Sequence, residues 1–215
     1  MLKVENIDVF NFEGAIRGMR NPLNSWAKSD SHWIEDWTAG KDKPGYKYYY
    51  IGDNDLELMQ KLFNAGESHR KYLRQIFVTM DITAPEYFFS QFDTYKVGTT
   101  ANSTSKMHTL HKRDLTIDDF SSDKMSAEGI DQLQRYIDEV INRCRRTYVK
   151  TNNKTYWNDL IRLLPMSFNQ RRTVTLNYEV AVNIINQRTG HKLDEWTTLI
   201  ETLKELPYLK EIMGE

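Results

Sequence analysis

The sequence has a single cysteine and no long apolar run. Cys144 is the only cysteine in 215 residues, which excludes an intrachain disulfide and argues against a metal site built on cysteine ligands. So little cysteine is also typical of a reducing compartment. No apolar run approaches the roughly 18 residues of a membrane-spanning helix, and residues 1–6 lack the apolar core of a signal peptide. We therefore expect a soluble cytoplasmic protein with no membrane partner.

An excess of charge of either sign is also missing. The chain has 29 Lys and Arg against 30 Asp and Glu, for a net charge of −1. Without a strong positive field we expect no nucleic-acid partner, and any anion site must be local. A chain of 215 residues with 40% hydrophobic and 27% charged residues fits one globular domain over residues 1–215.

Hydrophobic spacing predicts a mostly helical chain with a few strands, of the α+β class. Strands are predicted at residues 2–10 and 74–82. Helices are predicted within residues 12–29 and at 53–65, 83–92, 126–149, 153–163, 165–190 and 193–206. Thr83 is expected to cap the 83–92 helix, with Pro85 in its first turn. Residues 38–52 are expected to form a loop or hairpin, and residues 93–109 a long polar loop of the kind that often has a function.

Three motifs in the sequence resemble those of one known family. Residues 79–92 (TMDITAPEYFFSQF) resemble the pattern F-T-F-x-(V/I)-x-(A/G)-P-x-x-x-x-R-Q. Residues 94–107 (TYKVGTTANSTSKM) keep the length and hydroxyl positions of R-H-R-x-x-S-x-N-E-x-S-x-R-Y, but not its arginines or its glutamate. After Leu164-Pro165, residues 175–188 match T-x-N-x-R-x-x-x-N-x-x-x-x-R, with Glu179 replacing the first arginine. These are motifs of the flavin-dependent thymidylate synthases (ThyX), and the likeness covers about residues 1–205.

The resemblance implies a specific reaction. Proteins of this family are homotetramers that hold FAD between subunits and stack dUMP on the flavin. NADPH reduces the flavin, and methylenetetrahydrofolate supplies the one-carbon group that converts dUMP to dTMP, without a cysteine nucleophile. Two alternatives stay open for a chain with so many replacements. One is an enzyme that modifies another pyrimidine nucleotide, and the other is a non-catalytic nucleotide-binding homologue.

The resemblance also implies a set of site residues. The substrate-binding candidates are Gln91, Thr104, Lys106, Arg162 and Arg188, with Arg162 one residue out of register. Arg188 is also the catalytic candidate, because its charge would stabilise negative charge developing on the uracil carbonyl. The cofactor-binding candidates are His69, Tyr95, Lys96, Asn177 and Asn183. Asn177 and Arg188, eleven residues apart on the predicted 165–190 helix, are expected to project to nearly the same side.

Plainer interpretations stand beside these roles. Arg188 could be a helix-end arginine favoured by the helix dipole, and Tyr95 a packing residue. His108 and His111 have a spacing that could bind a metal, but solvated loop histidines are favoured, and no metal site is expected. Each lost charge-assisted hydrogen bond weakens the binding of a phosphate ligand by about 1.5–3 kcal/mol. We therefore expect FAD to bind more weakly than is usual in the family.

Overall fold

The computed structural model describes residues 2–36 and 46–214. The strands are β1 (Lys3–Phe10), β2 (His32–Asp36), β3 (Tyr46–Tyr50), β4 (Phe77–Pro85), β5 (Thr100–Ser103) and β6 (Asn169–Asn177). The α-helices are α1 (Phe12–Arg20), α2 (Asp53–Asn64), α3 (Glu86–Phe92), α4 (Lys106–Thr109), α5 (Ala127–Tyr136), α6 (Asn142–Thr151), α7 (Lys154–Arg162), α8 (Tyr178–Arg188), α9 (Asp194–Lys204) and α10 (Leu209–Met213). The predicted α+β class is confirmed.

The four-stranded sheet has the order β1-β4-β6-β5, and each pair of adjacent strands is antiparallel. Alternation along β4 buries Val78, Met80 and Ile82 on one face, because successive side chains of a strand point to opposite sides. Val174 and Leu176 of β6 are buried on the same side. The sheet therefore has one face on the core and one polar face, as antiparallel sheets commonly do.

Helix α8 crosses the core and is buried on nearly every side. Seven of its eleven residues are buried, among them Ala181, Ile184 and Ile185. A helix with so many buried residues must be covered by neighbours, and α8 packs against α9 and the 3₁₀ turn Lys71–Gln75. Its two ends consequently reach different parts of the molecule.

A second, smaller core lies among the helices between β5 and β6. It contains seven buried residues, which are Leu110, Leu115, Phe120, Leu133, Ile137, Ile141 and Leu160. A π-helical turn, Ile137–Ile141, joins α5 to α6, so the predicted 126–149 helix is present with one irregular turn. The α6 and α7 helices pack together beside this core.

The helix predicted over residues 165–190 is wrong in its first half. Residues 169–177 form β6, and only Tyr178–Arg188 is helical. The period-two alternation of Thr173 and Thr175 with buried Val174 and Leu176 is the strand signal, and β-branched residues favour it. Pairing with both β4 and β5 fixes the segment as a strand.

Two further predictions need correction around β4 and β5. Thr83 caps no helix, since it lies in β4, and α3 begins only after Pro85. A residue before proline is held in extended backbone, which prolongs the strand through Ala84. The 93–109 segment is not a single loop, because Thr100–Ser103 pairs with β6 as an edge strand and Lys106–Thr109 forms α4. All four β5 residues are exposed, so they lack the apolar alternation that predicts a strand.

Other elements agree with the prediction. Strand β1 matches residues 2–10, and α2 ends just before Gly66, whose φ of +102° suits glycine. Strands β2 and β3 pair as the two arms of a hairpin; the rest of the 38–52 prediction, up to residue 45, lies outside the described residues. In the part of the chain that the structure describes, no helix is long and apolar enough to cross a membrane.

Candidate functional site

Trp196 is the centre of the first candidate site. Helix α9 buries it completely together with Leu199 and Leu203, which lie on the same side of the helix. The indole Nε1 donates a hydrogen bond of 3.0 Å to Oε1 of Gln91, at the end of α3. A buried indole N–H needs such an acceptor. Gln91, a substrate-binding candidate, is thus tied to a residue that the motifs do not contain.

Arg188, at the end of α8, lies against the same indole. Its guanidinium carbon is 4.7 Å from the Trp196 ring centroid and 5.5 Å from that of Tyr95. The Arg188 Nε donates to the Tyr95 hydroxyl at 3.0 Å, and that hydroxyl donates to Oε1 of Gln187 at 3.1 Å. Two aromatic rings and one hydroxyl therefore hold the guanidinium, by cation–π attraction as well as by the hydrogen bond. We call Gln91, Tyr95, Arg188 and Trp196 the Trp196 cluster.

The charge of Arg188 is not neutralised by a carboxylate. Within residues 2–36 and 46–214, no Asp or Glu forms an ion pair with it. Arg172, another cation near the motif segments, is paired with Asp93 at 2.7 Å. A partly exposed guanidinium with free N–H groups and no counter-ion is suited to an anion or to a polarised carbonyl.

Thr104 and Lys106 occupy a different place, beside β6 and the start of α3. The Thr104 hydroxyl bonds to the backbone of Arg171. The Lys106 ammonium forms a close, partly buried ion pair with Glu86. Glu86 and Gln91 stand at opposite ends of α3, about 7.5 Å apart along its axis. A phosphate that approached Lys106 would have to compete with Glu86.

Asn177 lies outside the helix that carries Arg188, which corrects the expectation that the two project to nearly the same side of one helix. Asn177 is the extended N-cap residue of α8, and its Oδ1 accepts the Val180 N–H at 3.0 Å. Arg188 is the last residue of that helix, about 16 Å away along the axis. The Asn177 amide also touches the Gly98 backbone so closely that a Cβ there would lie 2.8 Å from its Nδ2. Asn183 lies between the two ends and is half-buried.

His69 lies at a cavity of about 360 Å³ between α1, α2 and the Lys71–Gln75 turn. The apolar part of its wall consists mainly of Met19, Pro22, Leu23, Leu58, Leu62 and Tyr72. The polar part is Ser68, His69, Lys71 and Gln75. A hydroxyl, an imidazole and an ammonium group on one edge are donors that can bind phosphate oxygens.

The remaining two candidates are isolated. Lys96 is exposed, and Arg162 is exposed at the end of α7, beside the second core. Neither side chain makes a hydrogen bond or ion pair with any part of the chain that the structure describes. The structure therefore does not bring Arg162 into the Trp196 cluster. Likewise, among the described residues, no set of three or more His, Cys, Asp or Glu side chains is placed to hold a metal ion.

An unforeseen ion pair stands at the first turn of α8. Arg70, next to His69, donates from Nε at 3.2 Å and from Nη2 at 3.0 Å to Oε1 of Glu179. The guanidinium also lies over the Phe63 ring, 5.2 Å from its centroid. Beneath the pair, the Tyr72 hydroxyl donates to the Met59 carbonyl, and burial raises the pKa of Tyr72 above its usual range.

Known proteins match this chain in fold but not in sequence. No family model and no curated protein matches the sequence. Two crystal structures of thymidylate synthase X from Helicobacter pylori, both with FAD and dUMP, match the structure over nearly its whole length. One has a TM-score of 0.68 at 16% identity and covers 100% of this chain and 98% of its own. The other has a TM-score of 0.66 at 16% identity and covers 99% and 98%.

The fold is that of a flavin-dependent thymidylate synthase. The expectation from the three motifs is confirmed at this level, and the match is to the whole fold rather than to a fragment. At 16% identity the chemistry must be argued from the residues themselves.

Within the ThyX-like fold, the residues present fit FAD in part. The cavity at His69 offers Ser68 and Lys71 as further phosphate donors. The first turn of α8, in contrast, carries the buried carboxylate of Glu179. Ser68, His69 and Lys71 are donors of the kind that suit a pyrophosphate, whereas Glu179 neutralises the adjacent Arg70.

Sequence reasoning missed Trp196, Arg70 and Glu86. Trp196 lies in no motif, and only its helical spacing with Leu199 and Leu203 marks it as buried. Arg70 gives no local signal, because its partner Glu179 is 109 residues away in the chain. Charges that pair across such separations become visible only in the folded structure.

Proposed function

We propose that this chain binds a pyrimidine deoxynucleoside monophosphate such as dUMP, with Arg188 as the charged contact to the base. The observation that supports the proposal is the uncompensated guanidinium of Arg188, held between Tyr95 and Trp196. The two H. pylori structures of the same fold contain dUMP. A pyrimidine carbonyl can accept hydrogen bonds from the free Arg188 N–H groups, and the fixed charge favours developing negative charge on that carbonyl.

The proposal extends to methylation of dUMP to dTMP, with weakly held FAD, NADPH and methylenetetrahydrofolate. When bound, FAD would supply the redox chemistry for which NADPH is the source of electrons. Ser68, His69 and Lys71 would hold its phosphates in the cavity. Gln91 is fixed by Trp196 and would present its amide N–H groups to the nucleotide.

A non-catalytic nucleotide-binding homologue is the second candidate. The ion pairs Lys106–Glu86 and Arg70–Glu179 favour it, because each neutralises a cation that a phosphate ligand would use. This candidate shares the nucleotide site at Arg188 but not the chemistry.

Conversion of dUMP separates the two candidates. The purified protein is incubated with dUMP, FAD, NADPH and methylenetetrahydrofolate, and dTMP is measured by chromatography. Formation of dTMP that is lost in Arg188→Ala supports the enzyme. Binding of dUMP without dTMP formation, in protein shown to bind FAD at the concentration used, supports the non-catalytic homologue. If no pyrimidine nucleotide binds at all, both candidates are wrong.

A further inference from the structure

Glu179 places a carboxylate in the first turn of α8, a turn whose own N–H groups are largely bonded. The Tyr178 N–H donates to the Ile76 carbonyl, and the Val180 N–H donates to Asn177 Oδ1. Glu179 follows in the same turn and is only 5% exposed. The chain has therefore placed its own carboxylate at this position.

The carboxylate is only half satisfied. Oε1 of Glu179 accepts both hydrogen bonds from Arg70, whereas Oε2 is buried and has no partner within the described residues. A buried, unpartnered carboxylate oxygen is costly. A phosphate in the cavity at His69 would find the adjacent cation, Arg70, already neutralised by this carboxylate.

Arg70 cannot offset the effect while it is paired. Its side chain is 16% exposed and is bound by Glu179 on one side and by the Phe63 ring on another. The pair has no net charge, so the guanidinium beside His69 adds no attraction for a phosphate at long range.

We propose that Glu179 is a specificity-determining residue that weakens the binding of pyrophosphate-containing cofactors, FAD in particular. The carboxylate neutralises the charge of Arg70, beside His69, and keeps its guanidinium from binding the pyrophosphate. The inference rests on the proposed function in one respect, that the flavin phosphates enter the cavity at His69. The nucleotide site at Arg188 lies at the other end of α8, about 14 Å along the helix from Glu179, and is tested separately.

The test uses Glu179→Gln, which keeps the shape and the acceptor for Arg70 but removes the charge. FAD is titrated into wild type and variant and followed by flavin fluorescence. We expect the variant to bind FAD about tenfold to a hundredfold more tightly, the range that one charge-assisted contact gives. Glu128→Gln, the same change on the exposed surface of α5, should alter FAD affinity less than about twofold.

Riboflavin distinguishes an electrostatic effect from a general loosening of the site. It has the same ring system as FAD without phosphates, so its affinity should be the same in wild type and Glu179→Gln. Stoichiometric, tight FAD binding by wild type would overturn the proposal. The proposal would also be overturned if Glu179→Gln bound FAD no more tightly than wild type, or did not bind it at all. An equal gain in affinity for riboflavin would overturn it too.

Two controls keep this result apart from the nucleotide site. Titration of dUMP should give the same affinity in wild type and Glu179→Gln, and its failure in both would contradict the proposed function but not the role of Glu179. Thermal denaturation checks that the variant is folded. If Glu179→Gln does not fold, Glu179→Ala also frees Arg70 and is expected to change FAD affinity in the same direction.

Discussion

At the scale of single residues, Asp55 shows how a buried charge is held in this fold. The carboxylate is completely buried and accepts hydrogen bonds from Arg20 Nε at 2.5 Å, Ser29 Oγ at 2.6 Å and Ser31 Oγ at 2.7 Å. Burial raises the pKa of Asp55, but the serine and arginine donors outweigh it, and the pKa lies below its usual value. The charge therefore joins α1 to the start of α2.

Removal of this carboxylate should be strongly destabilising. Asp55→Ala leaves Arg20 buried without a counter-ion, which typically costs about 3–5 kcal/mol. Urea denaturation of wild type and variant measures the difference in the free energy of unfolding. Glu57→Ala, on the exposed side of the same helix, should cost about 0.5 kcal/mol or less. Equal losses in the two variants would contradict this account of Asp55.

Residue by residue, the sequence predicts only part of the candidate site. The motif alignment identifies Gln91, Tyr95 and Arg188, one residue from each of the three motifs, and the fold brings them into one cluster. It could not supply Trp196, which joins them through packing rather than through a motif. It also could not reveal that Lys106 is paired with Glu86, because neither residue's partner is marked in the sequence.

At the scale of elements, the N-cap of α8 determines where the core helix begins. Asn177 is one of the cofactor-binding candidates, but its role as the helix cap can be tested separately from cofactor binding. Asn177→Ala should destabilise the protein by about 0.5–2 kcal/mol through loss of the cap, while Asn177→Asp should keep most of the stability because aspartate also caps. Thermal or urea denaturation measures both. Equal stability of the alanine variant and wild type would rule out the capping role.

The polar face of the sheet contains a second carboxylate that responds to acid. Asp81 accepts hydrogen bonds from Thr173 at 2.5 Å, Arg171 at 2.6 Å and Asn6 at 2.8 Å, which together link β1, β4 and β6. The hydrogen bond from Thr173, followed by those from Arg171 and Asn6, lowers the pKa of Asp81 well below its usual range.

The lowered pKa of Asp81 predicts a loss of stability in acid. The unfolded chain has an aspartate pKa of about 3.9, so the contribution of Asp81 is full above that value and falls as the pH drops towards its folded pKa. Urea denaturation of wild type and Asp81→Asn should show a larger stability difference at about pH 7 than at about pH 3. A difference that does not change with pH would contradict the assignment.

Element prediction succeeded where a pattern was local and failed where pairing across the sheet decided. Helices α2 and α9 follow from their own apolar stripes and end signals. Strand β6 was predicted as helix because Pro165 and the apolar residues around 180 resemble a helix start and a helix body. Exposed β5 carries no apolar alternation, so its pairing with β6 decides its structure.

At the scale of the whole molecule, one fold is reached with little sequence in common. A TM-score of 0.68 at 16% identity indicates that buried volume and alternation, rather than particular residues, preserve the architecture. The ends of α8 separate the Trp196 cluster from the Arg70–Glu179 pair by about 14 Å. A ligand as long as FAD could span that distance only if further protein surface lined the path between the two ends of α8.

We predict that the protein is a homotetramer, as the resemblance implies. Light scattering coupled to size exclusion should give about four times the chain mass of 25.4 kDa. In such an assembly, neighbouring protomers would complete sites that one chain leaves open. A strict monomer at all concentrations would contradict composite sites and weaken the case for bound flavin.

Calorimetric titration of dUMP is the most direct test of the nucleotide site. We predict that wild type binds dUMP and that Arg188→Ala loses about 2–4 kcal/mol of binding free energy, since it removes a charged partner of a desolvated ligand. Arg135→Ala, at an exposed position of α5, should bind as wild type does. If wild type binds none of dUMP, dCMP and dTMP, the account of the site is wrong. If Arg188→Ala binds as tightly as wild type, the role of Arg188 is wrong while the fold stands.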